Sequence, residues 1–368
     1  MRILQVINVR WFNATAWYAL YLSRLLLDAG HQVRVITLAD TDTWRTALRL
    51  GLPVDTLDLN SNHPLTLALA GLKAARILHS FKPEVVNCHR GEAFFLWAAL
   101  KKLGFGYKLV RTRGDQRLPR ADALNRFLHN RVADGVIVTN RAMSEHFRER
   151  MRTPANRLWL IHGGVDLARF AFDPEGRARV RAEFGFTETD RVIGLVGRFD
   201  QVKGQRELIA AVAKLYHDLD LRDVRLFLIG FETAVSQAQV QAWINEAGIE
   251  AITRISGQRE DVAACLSALD VAALCSLGSE AIARAAFELM AAGRPLISTR
   301  VGVMPDLVGE AALVPPGDVP ALTLKLAEVL KYENMREELV DAQRRTMSQH
   351  SDQDFLRRTL SIYQSLLD

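Results

Sequence analysis

The sequence predicts an α/β protein with two doubly wound parallel sheets, and three observations lead to this fold class. Short apolar runs typical of buried strands alternate with longer stretches of helical composition, which is the pattern of successive βαβ units. The alternation begins at the first residues and starts again after residue 190. Between the two series lies a stretch with three glycines and a proline, residues 161–176, which is typical of an interdomain linker.

The elements follow in chain order. Strands are predicted at 3–7, 33–37, 85–87, 108–112, 135–139 and 158–161, and then at 192–196, 225–229, 252–256, 271–274 and 295–298. Helices are predicted at 17–27, 204–216, 234–247, 262–266 and 355–367, among others. We therefore expect a first domain at 1–165, a second at 166–350, and a C-terminal helical segment at 351–368.

Composition limits the protein class. A hydrophobic content of 49% and a charged content of 24% are typical of a soluble globular protein. The three cysteines, Cys88, Cys265 and Cys275, lack paired spacing, which argues against a disulfide framework and fits a reducing compartment. Apolar runs stay below the ~18 residues of a membrane span, and the first residues predict a strand rather than a signal peptide. We expect a cytoplasmic protein.

Charge is distributed unevenly along the chain. Residues 1–170 contain 25 Lys and Arg against 13 Asp and Glu, a net charge of +12, whereas residues 171–368 contain 22 against 29, a net charge of −7. The two values give the total of +5. This asymmetry predicts that the first half of the chain meets an anionic partner.

Two acids stand eight residues apart in residues 276–288, here called the acid segment. Glu280 is predicted at a loop-to-helix junction and Glu288 inside the helix, which Gly293 ends. With Glu280 on the loop, both acids can reach a ligand over the helix N-terminus, where free N–H groups and the helix dipole suit phosphate. A ligand that carries both phosphate and many hydroxyl groups, such as a nucleotide sugar, fits this combination.

A second motif, residues 197–204, directly follows the predicted strand 192–196 and is here called the clamp loop. Gly197 allows a sharp turn at the carboxyl end of the strand, where open α/β sheets bind ligands. Arg198 can make a two-pronged phosphate contact, and Lys203 adds a compact positive charge. The loop has neither the P-loop pattern nor G-x-G-x-x-G.

The two motifs together resemble those of the retaining glycosyltransferases of family 4, which have the two-domain GT-B fold. Arg198 and Lys203 match the family's G-R-x-x-x-x-K-G pattern. The acid segment and the residues after it match the family's Glu-x7-Glu pattern at Ser276, Glu280, Arg284, Glu288, Met290, Ala291, Gly293 and Pro295. Ile282 and Ala283 stand where the family has Phe-Gly.

The resemblance implies two Rossmann-like domains that face each other across a cleft, with a C-terminal helix, 351–368, that crosses back to the first domain. It also implies a metal-independent enzyme without a cofactor. That enzyme moves a sugar from a UDP- or GDP-linked donor to an acceptor hydroxyl. Glu280, Arg198 and Lys203 are the implied catalytic residues; Glu288 would hold the ribose, and the helix N-terminus at 279–281 would help to hold the diphosphate. The full set of implied donor-binding residues is Arg198, Lys203, Gly230, Phe231, Gln258, Arg259, Ser279, Glu280, Ala281, Ile282, Ala283, Arg284 and Glu288.

The first domain resembles the family less closely and supplies the acceptor candidates. Asn13 and Thr15 follow the first strand, where each either caps the next helix or contacts the acceptor. Arg113 and Asp115 follow strand 108–112, where many relatives have a histidine, and His89 is a further candidate. We predict no metal-binding residue, because the D-x-D spelling at 352–354 lies far from both motifs in sequence.

A dense basic run, residues 101–131, suggests the kind of acceptor. Nucleic acid is disfavoured because no nucleic-acid-binding motif accompanies the run. A merely solvated basic face remains open. We favour an anionic glycan or glycolipid acceptor held at the inner face of the cytoplasmic membrane, in cell-envelope polysaccharide or lipopolysaccharide synthesis. The apolar run 93–100 is predicted as a buried crossover helix rather than an interfacial one.

Two other functions remain open at this point. A sugar-nucleotide epimerase of the GT-B type would also bind a nucleoside diphosphate sugar but would turn over without an acceptor. A non-catalytic protein of the same fold would bind the donor and release no product.

Overall fold

The computed structural model describes residues 1–61, 63–91, 94–278 and 280–368. The chain divides into two compact units. Unit 1 consists of Met1–Gly163 together with Asp352–Asp368, and unit 2 consists of Gly164–Ser351. Each unit has its own parallel sheet, so the predicted fold class of two α/β domains is confirmed.

Unit 1 is built on a seven-stranded sheet in which every neighbouring pair of strands is parallel. Its strands are β1 (Arg2–Val6), β2 (Gln32–Thr37), β3 (Val54–Thr56), β4 (Val85–Cys88), β5 (Lys108–Arg113), β6 (Gly135–Val138) and β7 (Leu158–Leu160). Their order across the sheet is β3-β2-β1-β4-β5-β6-β7. The order therefore reverses between β1 and β4.

Helices connect these strands and cover the sheet. They are α1 (Ala14–Asp28), α2 (Asp42–Arg49), α3 (Pro64–Phe81), α4 (Phe94–Lys102), α5 (Ala123–Phe127), a π-helical turn (Leu128–Val132), α6 (Arg141–Glu149) and a 3-10 turn (Ala155–Arg157). Right-handed crossovers put α1 and α2 on one face of the sheet and α3 and α4 on the other. Buried side chains of α3 and α4, such as Ala74 and Trp97, pack with Leu4 and Val6 of β1 in one core.

Unit 2 is built on a six-stranded parallel sheet with the order β10-β9-β8-β11-β12-β13. Its strands are β8 (Arg191–Val196), β9 (Val224–Ile229), β10 (Thr253–Ile255), β11 (Val271–Leu274), β12 (Leu296–Thr299) and β13 (Leu313–Val314). Its helices are α7 (Pro174–Phe184), α8 (Gln205–His217), α9 (Gln237–Glu246), α10 (Val262–Ser267), α11 (Arg284–Ala291), α12 (Met304–Leu307), α13 (Val319–Lys331) and α14 (Glu333–Met347), with 3-10 turns at Gln201–Lys203, Glu250–Ile252 and Glu310–Ala312.

The chain returns to unit 1 for its last helix, α15 (Asp352–Leu367). The ring of Phe355 lies 4.6 Å from that of Tyr18 on α1. The hydroxyl of Tyr363 accepts a 2.7 Å hydrogen bond from the buried side chain of Asn87 on β4. These contacts tie α15 to the α1 side of the unit 1 core.

The predicted strands are all present, with ends within one residue of the prediction. The prediction missed β3 and β13, which have three and two residues. The run 94–100 forms α4, a crossover between parallel strands as predicted, and Ala93 lies outside the described residues. The helix is buried on one side only, because Phe95 is exposed. Within the part of the chain that the structure describes, none of the helices combines the length and apolar character needed to cross a bilayer.

Candidate active site

Two loops of unit 2 meet at the point where its strand order reverses. On one side of β8 lie β9 and then β10, and on its other side lie β11, β12 and β13. Open parallel sheets bind ligands at the carboxyl ends of the strands beside such a switch point. The clamp loop follows β8, and the acid segment begins two residues after β11.

Backbone contacts hold the clamp loop against the loop that leads into the acid segment. The Leu277 N–H donates a 2.8 Å hydrogen bond to the carbonyl oxygen of Val202. Gly204 has a φ of 73°, and a Cβ at that position would lie 2.0 Å from the carbonyl oxygen of Cys275. A side chain at position 204 would therefore push the two loops apart.

The side chains of the two loops also meet. The Lys203 ammonium donates a 2.5 Å hydrogen bond to the Oε1 atom of Glu280. The Ser276 hydroxyl donates a 2.5 Å hydrogen bond to the same atom. Glu280 is only 5% exposed, so these two donors replace the water that its carboxylate loses. A basic group and an acidic group thus stand together at the edge of the sheet before any ligand is present.

Arg198 is positioned by a carboxylate of its own loop. Its Nη2 atom lies 2.8 Å from the Oδ2 atom of Asp200, whose other oxygen accepts a hydrogen bond from the Val202 N–H. The side chain remains partly exposed at the end of β8. Asp200 was not among the predicted site residues, although its place two residues after Arg198 was visible in the sequence.

The helix of the acid segment begins later than predicted. Its first residue is Arg284, so the prediction of a helix N-terminus at 279–281 is wrong; Ala281 and Ile282 lie in a loop, and Ser279 lies outside the described residues. The reason is a tertiary contact. The carbonyl oxygen of Glu280 accepts a 2.7 Å hydrogen bond from the Val303 N–H, so it does not bond within a helix. Gly302 makes the approach possible, because a Cβ there would lie 2.1 Å from that oxygen.

Glu288 lies within α11 and is buried. Its Oε1 atom accepts a 2.6 Å hydrogen bond from the Nε atom of Arg284. Burial raises the pKa of the Glu288 carboxyl above its usual value, and the positive charges of Arg284 and Arg169 only partly oppose the shift. The fold therefore keeps an acid with few partners inside unit 2, which is unfavourable for stability and typical of a functional site.

Four of the implied donor-binding residues, Gly230, Phe231, Gln258 and Arg259, follow the carboxyl ends of β9 and β10, where the resemblance to the family places the nucleobase. Gly230 packs against the clamp loop, because a Cβ there would lie 2.0 Å from the carbonyl oxygen of Gly197. Phe231 beside it and Gln258 are exposed. Arg259 is bonded to Glu183 at 2.6 Å and to Asp261 at 2.8 Å, and these carboxylates raise its pKa. Arg259 thus joins α7 to the start of α10.

In unit 1, Asn13 and Thr15 have local structural partners. The Asn13 Oδ1 atom accepts a 3.0 Å hydrogen bond from the Ala16 N–H and caps α1, which is one of the two predicted roles. The Thr15 hydroxyl is buried and donates a 2.8 Å hydrogen bond to the carbonyl oxygen of Gly114. The start of α1 is thereby fastened to the loop after β5.

Two further acceptor candidates, Arg113 and Asp115, lie at the loop after β5, and the third, His89, lies in the interior of unit 1. The Arg113 guanidinium donates 2.7 Å and 2.8 Å hydrogen bonds to the Asp115 carboxylate and to the carbonyl oxygen of Arg117. His89 is fully buried and 2.6 Å from the Gln5 side chain. Burial, with the positive charge of Arg111, lowers the pKa of His89 to about 3. The imidazole is therefore neutral and has no exposed surface to offer an acceptor.

Two family models match the chain, one over most of unit 1 and the first residues of unit 2, and one within unit 2. The model described as "Glycosyltransferase Family 4" matches residues 15–169, and the one described as "Glycosyl transferases group 1" matches residues 176–346. Two parallel-sheet units with these loops at the switch point of the second define the class of GT-B proteins. Within that class, the chain belongs to the family 4 glycosyltransferases.

Curated relatives match over part of their length. The chain is 31% identical to the MMP alpha-(1->4)-mannosyltransferase of Mycolicibacterium hassiacum over 218 residues, which are 57% of this chain and 49% of that protein. The matched region thus spans about half the length of that relative.

Solved structures share the fold over the whole chain. A glycosyltransferase from Rickettsia africae has a TM-score of 0.87 at 18% identity and covers 100% of this chain and 98% of its own. Anabaena HepE in complex with UDP has a TM-score of 0.86 at 20% identity, and the match covers 99% of this chain and 100% of HepE. WaaG, a glycosyltransferase involved in lipopolysaccharide biosynthesis, has a TM-score of 0.72 at 16% identity, covering 99% of each chain. At these identities the likeness concerns the fold.

Proposed function

We propose that this protein is a retaining, metal-independent glycosyltransferase that moves a sugar from a UDP- or GDP-linked donor to an acceptor hydroxyl. The observation that carries the proposal is the meeting of two loops at the switch point of unit 2. One loop supplies the cations Arg198 and Lys203, and the other supplies Glu280, which contacts Lys203. Cations suit a diphosphate and a carboxylate suits sugar hydroxyls, so the pair fits the two halves of a sugar nucleotide.

The cations have a direct role in this reaction. When the bond between sugar and phosphate breaks, negative charge grows on the leaving diphosphate. Arg198 and Lys203 are fixed in place by Asp200 and Glu280 and stabilise that charge without rearrangement. A well-placed donor of this kind contributes roughly 3–4 kcal/mol in known active sites. Two protein cations supply the charge that a metal ion provides in other enzymes, which supports metal independence.

The acids hold the rest of the donor. Lys203 has three N–H donors, so it can contact the diphosphate while it stays bonded to the Oε1 atom of Glu280. The other oxygen of the Glu280 carboxylate accepts hydrogen bonds from the donor sugar, and Glu288 accepts those of the ribose. Retention follows from the resemblance to retaining enzymes, with the acceptor attacking on the face that the phosphate leaves and the phosphate taking the proton. UDP in the HepE complex supports a nucleoside diphosphate donor.

The acceptor is proposed to be an anionic glycan or glycolipid, bound by unit 1 at the cytoplasmic face of the membrane. The net charge of +12 over residues 1–170 supports an anionic acceptor, and the shared fold of WaaG is compatible with an envelope glycan. Arg111 and Arg113 do not contribute to a basic surface, because both are buried. Of the predicted run, Lys102, Arg117, Arg120 and Arg131 are exposed.

A thermal-shift screen of UDP- and GDP-linked sugars tests the donor class, because a ligand of the native state raises the apparent stability by mass action. We expect sugar nucleotides of one base, uridine or guanosine, to raise the melting temperature. The donor that stabilises the protein should release free nucleoside diphosphate only when an acceptor is added. No shift with any sugar nucleotide at millimolar concentration would overturn the proposal. Turnover without an acceptor would instead indicate an epimerase, and binding without turnover in any acceptor pool a non-catalytic protein.

A further inference from the structure

The outer side of α3 in unit 1 carries a stripe of exposed leucines. Leu65, Leu69 and Leu72 are 69%, 65% and 67% exposed. Their spacing of four and three residues puts them on one side of the helix. The opposite side of α3, with Ala70 and Ala74, is buried against the sheet. The stripe is therefore not an exposed edge of the core but a second apolar side of the same helix.

Helix α4 extends the stripe. A Cβ at Gly71 of α3 would lie 3.6 Å from Leu96 of α4, so the two helices pack side by side. Phe95 is 58% exposed, and Leu103, directly after α4, is 77% exposed. We call the surface formed by Leu65, Leu69, Leu72, Phe95 and Leu103 the leucine face. Single exposed apolar residues are ordinary, but four large ones on two adjacent helices, with a fifth directly after α4, form a patch of the kind that marks an interaction surface.

The charged residues within α3 and α4 have one sign. Neither the sequence of α3 nor that of α4 contains an Asp or a Glu. Lys73 and Arg76 on α3 and Lys102 on α4 are exposed, while Lys101 pairs with Asp134. Exposed leucine and phenylalanine combined with basic residues and no acid are typical of helices that lie in the interface of an anionic bilayer.

We propose that the leucine face docks onto an anionic membrane surface. Its apolar side chains enter the boundary between headgroups and acyl chains, and Lys73, Arg76 and Lys102 contact lipid phosphates. A second copy of the chain is the weaker alternative, because a two-fold interface brings the same surface of each copy together. The cations of the two copies would then face each other without acids on either helix to pair with them.

This inference goes further than the basic run because it assigns membrane contact to apolar residues, and all of these except Leu103 lie outside that run. The inference rests on the proposed function in one respect: an enzyme whose acceptor is held in a membrane has a reason to bind that membrane. The docking itself is inferred from the exposed residues alone. Its test uses no sugar nucleotide. Loss of vesicle binding and loss of donor binding can therefore be observed separately.

The experiment is co-sedimentation of the full chain with vesicles of phosphatidylcholine alone and of phosphatidylcholine with phosphatidylglycerol, at 50–500 mM salt as an approximate range. We expect binding to the anionic vesicles that weakens with salt. The triple variant Leu65→Ser, Leu69→Ser, Leu72→Ser should reduce the partition coefficient at least ~10-fold, since it removes apolar insertion but no charge. Lys73→Gln with Arg76→Gln should weaken binding to anionic vesicles only.

Matched controls use exposed leucines elsewhere. Leu48→Ser on α2, which covers the other face of the unit 1 sheet, and Leu324→Ser on α13 in unit 2 should bind vesicles as the unchanged protein does. Circular dichroism and the thermal transition check that the triple variant is folded. The proposal is overturned if the unchanged protein ignores anionic vesicles, or if the folded triple variant binds them equally well. A dimer seen by light scattering that the triple variant dissolves would assign the face to a second copy instead.

Discussion

Lys203 and Glu280 are 77 positions apart in the sequence, yet the lysine ammonium donates a 2.5 Å hydrogen bond to the glutamate carboxylate. The contact joins the loops after β8 and β11 and compensates a carboxylate that is almost fully buried. The two groups therefore hold each other in position before the donor arrives, which is the preorganisation that electrostatic catalysis requires. Each residue is expected to affect both activity and stability.

Replacing either cation tests the phosphate assignment. Arg198→Ala and Lys203→Ala should each lower kcat/KM at least ~100-fold, because each removes a donor to the leaving group. Lys203→Ala should also lower the melting temperature, since it leaves Glu280 without its counter-charge. Lys214→Ala, which removes an exposed cation of α8 that pairs with Asp218, is the matched control and should change neither quantity. Near-normal kinetics for both active-site variants would refute the assignment.

Glu280→Gln separates the charge of this residue from its size. The amide fits the same space and still accepts one hydrogen bond, but it no longer attracts Lys203 or accepts several sugar hydroxyls. We expect kcat to fall while the circular dichroism spectrum stays unchanged. The ratio of kcat with the natural donor to kcat with a deoxy-sugar donor should also shrink, because the hydroxyl contact is lost. An unchanged kcat would show that the carboxylate does not contact the reacting sugar.

The raised pKa of Glu288 predicts opposite effects on binding and on stability. The folded protein disfavours the ionised form, so the stability cost is absent below the usual pKa of 4.5 and is complete above the raised value. Glu288→Gln should therefore keep or raise the melting temperature at pH 7. Its affinity for free nucleoside diphosphate should fall, since an ionised carboxylate is the better acceptor for ribose hydroxyls.

The pH dependence of nucleotide binding supplies the measurement for Glu288. As the pH is lowered, the affinity of the unchanged protein for nucleoside diphosphate should begin to fall at a higher pH than if Glu288 had the pKa of an exposed glutamate. The reason is that a carboxyl group with a raised pKa takes up its proton at a higher pH. Calorimetric titrations between pH 7 and pH 5, as an approximate window, should show this slope. The slope should be shallower in Glu288→Gln, because only the terminal phosphate of the nucleotide still titrates in this window. If Glu288→Ala binds free nucleoside diphosphate as tightly as the unchanged protein, the ribose role is wrong.

The fold could be predicted from sequence because its elements are set by local patterns. Strands such as β8 and β11 are continuous apolar runs, since both faces of a parallel sheet are covered, and such runs are visible in the sequence. The missed strands β3 and β13 have too few residues to form a pattern. Their pairing with β2 and β12 decides that they are strands.

The candidate site could be predicted only in part. Arg198, Lys203, Glu280 and Glu288 were found because their spacing within short segments is characteristic. The start of α11 was missed because the carbonyl oxygen of Glu280 accepts a hydrogen bond from Val303, 23 residues further along the chain, instead of one within a helix. The burial of His89 was hidden for the same reason, since its partner Gln5 comes from another strand.

The short loop before α11 ends in a strained residue. Ala283 has φ and ψ both at 51°, the left-handed conformation that costs an alanine roughly 1–2 kcal/mol. The family pattern has glycine at this position, which would adopt the conformation without that cost. Strain beside Glu280 is expected where the surrounding contacts fix the backbone for function.

Ala283→Gly should therefore lower the stability far less than Ala286→Gly. Ala286 is also buried but lies in the helix, so both variants lose a buried methyl group while only Ala286→Gly pays the helix cost of about 1 kcal/mol. Because Ala283→Gly also relieves strain, the free energies of unfolding of unit 2 should differ by ~2 kcal/mol between the two variants. For a unit of this size that corresponds to roughly 4–8 °C in melting temperature. Calorimetry measures the difference. A difference of only ~2–4 °C, which the helix cost of Ala286→Gly produces alone, would show that Ala283 carries no strain.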